Sequence, residues 1–555
     1  MTIHQLAGQK PERIALVTRE AMRQRFWDQP ANTFPVKNGT SGHRGLTGAG
    51  FNWLHVASMT QALCDIRHAR GTFGPELSPA LVAAFTANAS GKPGVIIMGK
   101  DVRFTSDEAQ IVAAEVFAAN GFTIIINKDG RATPTPVVSH SILARNLRGE
   151  AAEGVVITAS HNPPDDAGYK SNGLNGGPNT ETKPIDQLAN KYMANPEKIR
   201  RMDYADAVKK GLIIETDLVT PYVEDLSNVV RMEVIKSGGK FAATSLGGSA
   251  WGYYSAIAAK YGLDLTELLG TPDPAGEHRT YDWDGRLRGD PSSTYVMQAV
   301  AGLRKSLNAL FLGANDNDAD RFGAEDSTGI LNPNHVLCVL FDYLAKNRGF
   351  DATMGIGRTI GTTHMLDLIA ATQGRPSKEV PVGFKWYVDG LINSKYVLAG
   401  EESAGLSFPR LNGQPWVTEK DGIATVLLMM EICANTGKDI GTLYGELVSQ
   451  HGQHLYERID LPATAAKKAL LAQLAANSAG TNAMLEGKRI AGKRVERTVI
   501  GDGVKVVLEG GIWVLKRASG TEDIIKDYRE ERGETLDTAR QASQEIDSLL
   551  GLDKA

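Results

Sequence analysis

Residues 95–127 read VIIMGKDVRFTSDEAQIVAAEVFAANGFTIIIN, and the order of patterns inside this stretch decides the fold. VIIMG (95–99) and FTIIIN (122–127) are short runs, apolar at nearly every position. Runs of that kind predict strands buried on both faces of a sheet. Between them, DEAQIVAAEVFAAN (107–120) repeats its apolar residues at helical spacing. Strand, helix and strand in that order predict a βαβ unit, hence a mostly parallel sheet with helices on its faces.

Outward from this unit, a helical segment near 136–146 and the run GVVIT (154–158) continue the series. The theme then restarts. KFAATSL (240–246) leads into a helical stretch from about Ser249, and NALFLGA (308–314) is a strand that stops at a cluster of aspartates. ATMGIG (352–357), EVPVGFKW (379–386) and YVLAG (396–400) repeat the alternation once more. The tail differs: ERTVIGD, GVKVVLEG and GIWVLKRAS (496–519) predict antiparallel strands with glycine turns, followed by the helical DTARQASQEIDSLLG. The expected architecture is α/β, three consecutive α/β domains with mixed, mostly parallel sheets and a C-terminal α+β domain. Boundaries are set at 1–38 for an N-terminal extension with one helix, then 39–210, 211–325, 326–450 and 451–555.

A chain of 555 residues exceeds what one hydrophobic core serves, in keeping with several domains. Sixty basic residues against 64 acidic ones give a net charge of −4, without the clustered basic excess of nucleic-acid binders. Cys64, Cys338 and Cys433 lie far apart with no CxxC pair, which predicts free thiols and a reducing compartment. The N-terminus lacks the apolar run of a signal peptide. ATVLLMMEICA, from Ala424, is too short to span a bilayer and carries Glu431. A cytoplasmic protein without membrane or nucleic-acid partners is expected.

Four unusual loops follow directly on predicted strands, and open α/β sheets bind ligands beyond the carboxyl ends of their strands. Thr158-Ala159-Ser160-His161-Asn162-Pro163-Pro164 leads a serine out of its strand into a turn that projects the side chain. A hydroxyl is a weak nucleophile unless a base or field activates it, and Lys170 is the nearby proton donor or acceptor. In Asp316-Asn317-Asp318-Ala319-Asp320-Arg321, alternate carboxylates can turn inward around one hard cation, Mg²⁺ or Ca²⁺. An EF-hand is rejected, because its glycine and terminal glutamate positions hold Arg321 and Ser327. Gly400-Glu401-Glu402-Ser403-Ala404-Gly405 offers carboxylates and a hydroxyl to vicinal sugar hydroxyls. Arg517-Ala518-Ser519-Gly520-Thr521-Glu522-Asp523, read as opening a helix, offers backbone N–H groups and a forked guanidinium to a phosphate. Two further strings join them, the Gly-rich basic turn Thr40-Ser41-Gly42-His43-Arg44-Gly45 and Gly383-Phe384-Lys385-Trp386, a lysine beside two aromatics. There is no P-loop, no HExxH and no complete dinucleotide fingerprint around Gly355-Ile356-Gly357. His451 and His454 read as an exposed helical pair.

The ordered series TSGHRG, TASHNPP, DNDADR, GEESAG and RASGTED resembles the α-D-phosphohexomutase superfamily. AGYKSNGLNGGP, PVGFKWYVDG and PWVTEKDG are similar to its bacterial glucose-specific branch, and the resemblance runs from about residue 38 to 530. It implies four domains around one cleft, the last TATA-binding-protein-like, and interconversion of glucose 1-phosphate and glucose 6-phosphate through glucose 1,6-bisphosphate. By motif, Ser160 is the implied phosphoserine, and with Asp316, Asp318 and Asp320 it holds Mg²⁺. Lys170 and Lys385 are the implied acid/base candidates, with His43 and Arg44 flanking the serine. Glu401, Ser403, Arg321 and Lys420 are implied at the sugar phosphate, and Arg517, Ser519, Gly520 and Thr521 at its non-reacting phosphate. The implied partner is a small sugar phosphate, the implied state a monomer or homodimer. Ala159 and Ala518 stand where relatives often carry proline, and Ser171-Asn172 follow Lys170, departures that remove no reacting group. Mannose- and glucosamine-specific mutases remain alternatives, with Glu402 pointing to glucose, and so does a catalytically silent binding protein.

Overall fold

The computed structural model describes residues 3–13, 16–28, 33–70, 94–519 and 523–555. The founding unit forms as read. Val95–Lys100 pairs in parallel with Thr123–Asn127 and with Ala152–Ile157. The helix Ser106–Ala119 crosses between the first two strands. Ile96 and Met98 point into one core and Ile97 into another, which is why the run needs no polar alternation. Asp166–Asn172, Gly42–Leu46 and Asn38–Gly39 add antiparallel strands on one flank, making a sheet of seven. The opposite edge is Ile213–Thr216, parallel to Thr123–Asn127, so this sheet runs past the boundary drawn at 210.

The second sheet has five strands, with Phe311–Asn315 central. It is parallel to Phe241–Thr244 and antiparallel to Phe322–Asp326, and the edge strand Gly329–Ile330 lies beyond the boundary drawn at 325. The third sheet sets Gly355–Thr359 between Ser377–Val380 and Tyr396–Glu401, all parallel, with Gly405–Ser407 antiparallel at one edge. EVPVGFKW was expected as one strand; only its start is extended, and Phe384–Trp386 forms a helical turn after Gly383, whose φ is +125°.

The apolar helix Gly422–Thr436 does not stay with the third sheet. It lies on the second, where Gly313 leaves room for Val426; a Cβ at 313 would stand 2.3 Å from that side chain. Asp421 caps its first turn by accepting from the Ala424 N–H at 2.9 Å. Glu431, the one acid in the run, is buried against Arg348 at 2.7 Å and Tyr343 at 2.9 Å. A single cluster of buried side chains runs from Ile97 through Phe241 to Leu398, so the first three units share one core.

The last unit is a six-stranded antiparallel sheet covered on one face by Ala465–Ala476, Ser478–Leu485 and Asp537–Leu549. Its other face packs Val507, Trp513, Leu515 and Tyr528 against Ile360 of the third unit. Two local expectations change here. Where a helix was expected beyond the Arg517 loop, Ile524–Arg532 is a strand paired on both sides, because its alternating side chains serve a two-sided sheet. His451 and His454 are not an exposed pair; His451 ends a helix, His454 begins a strand, and both are buried. The three cysteines are buried and unpaired. Among the described residues no helix is long and apolar enough to cross a membrane.

Candidate active site

Ser160 leaves the C-terminal end of Ala152–Ile157 with φ +52°, a left-handed turn that L-residues adopt only when their surroundings enforce it. Those surroundings are a buried ion pair. Arg103 donates to the backbone carbonyls of Ser160 at 2.7 Å, Asn162 at 2.8 Å and Asp166 at 2.7 Å, and also to that of Pro163. Asp101 holds Arg103 Nε at 2.9 Å and accepts from Thr158 Oγ1 at 2.8 Å. Thr158 Oγ1 in turn accepts from the Ser160 N–H at 2.8 Å. The Ser160 hydroxyl is thereby aimed at the acidic turn of the second unit, where it donates to Asp316 Oδ2 at 2.8 Å. Asn317 Nδ2 locks the same loop from the far side, on the Ser160 carbonyl at 2.6 Å.

Asp316, Asp318 and Asp320 sit in the turn between Phe311–Asn315 and Phe322–Asp326, all buried. One oxygen from each lies within 4.8 Å of the others. Burial and the two neighbouring carboxylates push Asp316 well above the usual carboxylate range. Burial acts on Asp318 and Asp320 too, but Lys170 above all, joined by Thr135 at Asp318 and by Lys420 and Arg321 at Asp320, outweighs it and holds both below that range. Lys170 Nζ stands 2.5 Å from Asp318 Oδ2 and 2.8 Å from Asp320 Oδ2. Burial disfavours the ammonium, yet these two carboxylates keep the Lys170 pKa above its ordinary value. Thr135 Oγ1 adds a bond to Asp318 at 2.7 Å.

Two oxygens of the triad, Asp318 Oδ1 and Asp320 Oδ1, are buried and accept no hydrogen bond. Leaving such atoms unpaired is costly unless something positive completes them. An all-oxygen donor set with orphaned lone pairs fits a hard divalent metal ion, with the Ser160 oxygen at its edge.

Cations ring this acidic centre. Lys420 Nζ lies 3.4 Å from Asp320 and 2.8 Å from Glu419. Arg321 donates from its backbone to Asp316 at 3.1 Å and from its guanidinium to Asp290 at 3.1 Å. Arg44 reaches Asn162 Oδ1 at 3.3 Å, on the edge of the serine turn. Glu401 is buried, accepting from the Gly383 N–H at 3.1 Å and from Ser403 Oγ at 3.5 Å. Burial drives its pKa up to about 7 against the pull of Lys420.

Not every expected residue arrives there. His43 does not flank the serine. Its ring is packed on His55 and Phe51, with Nε2 on the Gly50 carbonyl at 2.9 Å and Nδ1 against Lys37. Strand alternation explains this, since neighbours Arg44 and His43 must face opposite sides of the sheet. His161 is the histidine beside Ser160, Nδ1 at 3.4 Å from Oγ; burial, then Arg321 and Arg44, hold it well below its ordinary pKa and hence neutral. Lys385 lies outside the triad's hydrogen bonds, its ammonium 5.4 Å from the Trp386 ring centre. Arg517 is tied through Nε to Asp502 at 3.0 Å, and Ser519 is buried with its N–H on the Ile524 carbonyl. Gly520 and Thr521 lie outside the described residues.

Sequence reasoning passed over Asp101, Arg103, Thr135, Asp290 and Glu419. Asp101, Arg103, Thr135 and Asp290 belong to no motif that announces chemistry, and Glu419 was quoted only as part of PWVTEKDG, without a role; each acts by holding a loop or a cation that does. Asp101-Val102-Arg103, directly after a predicted strand, was the one available signal.

Residues 35–197 match the family model for phosphoglucomutase/phosphomannomutase α/β/α domain I, and residues 332–451 match its domain III. A phosphoglucomutase of Komagataeibacter xylinus is 39% identical over 550 residues, covering 95% of this chain and 94% of the relative. Phosphoglucomutase 1 of Saccharomyces cerevisiae is 28% identical over 400 residues, 66% of this chain and 67% of the relative. Among solved structures, the open form of the Paramecium phosphoglucomutase pp63/parafusin superposes with a TM-score of 0.70 at 20% identity, over 94% of this chain and 96% of that one. A phosphoglucomutase/phosphomannomutase family protein of Burkholderia thailandensis gives 0.68 at 20% identity, over 93% and 98%. Those two likenesses concern the fold.

Proposed function

The chain belongs to the phosphoglucomutase/phosphomannomutase family, and from that premise we propose that it interconverts glucose 1-phosphate and glucose 6-phosphate through a phosphorylated Ser160. One observation carries the reading: a strained, buried serine from the first sheet meets an aspartate triad from the second at 2.8 Å. Phosphoryl transfer asks little covalent help of a protein beyond alignment and charge compensation, and both are present.

In the forward direction the bond from Ser160 Oγ to phosphorus breaks and a bond from O6 of glucose 1-phosphate to phosphorus forms, giving glucose 1,6-bisphosphate. After the bisphosphate turns over, Ser160 recovers the phosphoryl group from O1. Lys170, held charged by Asp318 and Asp320, supplies a proton to the departing serine oxygen. Lys385, outside those bonds, accepts the proton of the sugar hydroxyl. Ser160, Asp316, Asp318 and Asp320 would hold Mg²⁺, which supplies electrostatic stabilisation of charge on the phosphoryl oxygens. Glu401 and Ser403 meet sugar hydroxyls, while Arg321, Lys420 and Arg517 meet phosphate. Burial of Ser160 keeps bulk water from the phosphoserine.

A coupled assay with glucose 1-phosphate, Mg²⁺ and catalytic bisphosphate tests this, run beside mannose 1-phosphate. Turnover should favour glucose, and intact mass should show one phosphate that is lost on adding unphosphorylated glucose. Ser160→Ala should fold normally and lose turnover; retained turnover in that variant would refute the assignment.

A further inference from the structure

Beyond the loops assigned above, one carboxylate joins two of them. Asp502 stands in the Gly501-Asp502-Gly503 turn of the last sheet, half-buried. Its Oδ2 accepts from Arg517 Nε at 3.0 Å and from the backbone N–H of Val382 at 3.0 Å. The turn is built for that position. Val504 pairs with Lys516, which brings the preceding turn alongside Arg517, and Gly503 adopts φ +131° with no room for a Cβ, which would lie 2.5 Å from the Lys516 carbonyl. Val382 lies immediately before Gly383-Phe384-Lys385, and Gly383 is itself bonded to Glu401. Apolar packing seals the junction, with Val382 set against Ile360, Val507, Trp513, Leu515 and Tyr528.

We propose that Asp502 is a positioning residue for substrate phosphate: it orients the Arg517 guanidinium through Nε and fastens that arginine to the Val382–Lys385 turn of the third unit. The proposal rests on Arg517 as the anchor of the non-reacting phosphate. A guanidinium held by one carboxylate at Nε presents its remaining N–H donors in a fixed plane, the geometry that a phosphate's oxygens accept. Because the same oxygen also fixes the Val382 N–H, the phosphate anchor and the turn carrying Lys385 keep one mutual placement. Asp502 touches neither substrate nor reacting atoms; it acts through Arg517.

Steady-state kinetics on the full chain with glucose 1-phosphate separate the cases. Asp502→Ala should raise KM about tenfold while kcat changes less than about threefold, the pattern of lost uniform binding. Asp502→Asn, which retains an oxygen acceptor for both donors, should recover most of that loss. In an Arg517→Ala background Asp502→Ala should add nothing, because the group it orients is gone. If Arg517→Ala raises KM and Asp502→Ala leaves it unchanged or lowers it, the positioning role is overturned. If Arg517→Ala itself leaves KM unchanged, the underlying phosphate assignment fails and the proposal fails with it. A loss that Asp502→Asn does not relieve, matched by an equal fall in thermal midpoint for both variants, would also overturn it, since that is what a purely structural residue does.

Discussion

Arg103 donates to the carbonyl of Ser160 at 2.7 Å while its Nε is held by Asp101 at 2.9 Å, so the reactive turn hangs from a buried ion pair. Four carbonyls of the loop, from Ser160 to Asp166, converge on this one guanidinium. The left-handed φ of Ser160 persists because that network over-determines it.

Arg103→Met should therefore cost both stability and rate. Removing one partner of a buried pair costs about 3–5 kcal/mol, which denaturant unfolding would measure. Turnover should fall by more than tenfold, since the serine loses its enforced turn. A variant with unchanged midpoint and unchanged kcat would show that the ion pair is dispensable.

Metal binding should expel protons. Asp316 is pushed well above the usual carboxylate range by burial and by its two neighbours, so a cation binding there competes with a proton. Mg²⁺ titrations by calorimetry in buffers of different ionisation enthalpy should report proton release, with affinity rising as pH rises. Asp318→Asn should abolish the heat of binding, and a chelator should abolish turnover. Buffer-independent heats would contradict the raised Asp316.

Much of this was legible in the strings themselves. Ser160 and the aspartate triad could be found because each sits at a strand end in a combination of residue types that few structural needs produce, and Lys170 because it follows the serine turn at close range, inside the strand Asp166–Asn172. Arg103 and Asp290 could not, since an arginine or aspartate in a loop says nothing until its partners, 57 residues away in the bond to Ser160, are known. His43 was misread for a simpler reason: motif membership does not reveal which face of a strand a side chain takes.

Glu401 carries a pH signature. Its pKa is raised from 4.5 to about 7, burial being the main cause. The folded state then binds more protons than the unfolded chain between those values, so its contribution is full below pH 4.5 and is lost as pH rises through 7. Glu401→Gln should gain thermal midpoint relative to the parent as pH climbs across that window. Parallel melting curves for the two proteins would contradict the shift.

Lys505 predicts the opposite slope. Burial, and then Arg358, lower its pKa to about 7 although Glu379 pulls the other way. It sits where the last sheet docks on the third unit, 2.7 Å from Glu379, 2.9 Å from His364 and 2.6 Å from the Ile360 carbonyl. Between about 7 and 10.5 the unfolded chain binds the extra proton, so stability rises with pH across that window. Lys505→Met should remove the rise, read as a difference of a few degrees in Tm between pH 7 and about 9. An unchanged slope would locate the titrating group elsewhere.

Sequence alone determined the kinds of element and the identity of the reacting groups. Doubly buried strands must be apolar throughout, helices must repeat near every third or fourth residue, and a hydroxyl and a carboxylate trio at strand ends, with a lysine close by in sequence, are chemistry before they are structure. Tertiary structure alone decided the sharing of parts: the helix Gly422–Thr436 crossing to the second sheet, the strand Ile213–Thr216 closing the first, Ile524–Arg532 forming a strand, and Asp502 bridging two units. Those outcomes depend on which other surface offers the complementary shape or the missing hydrogen bond, and no local pattern names the segment that will supply it.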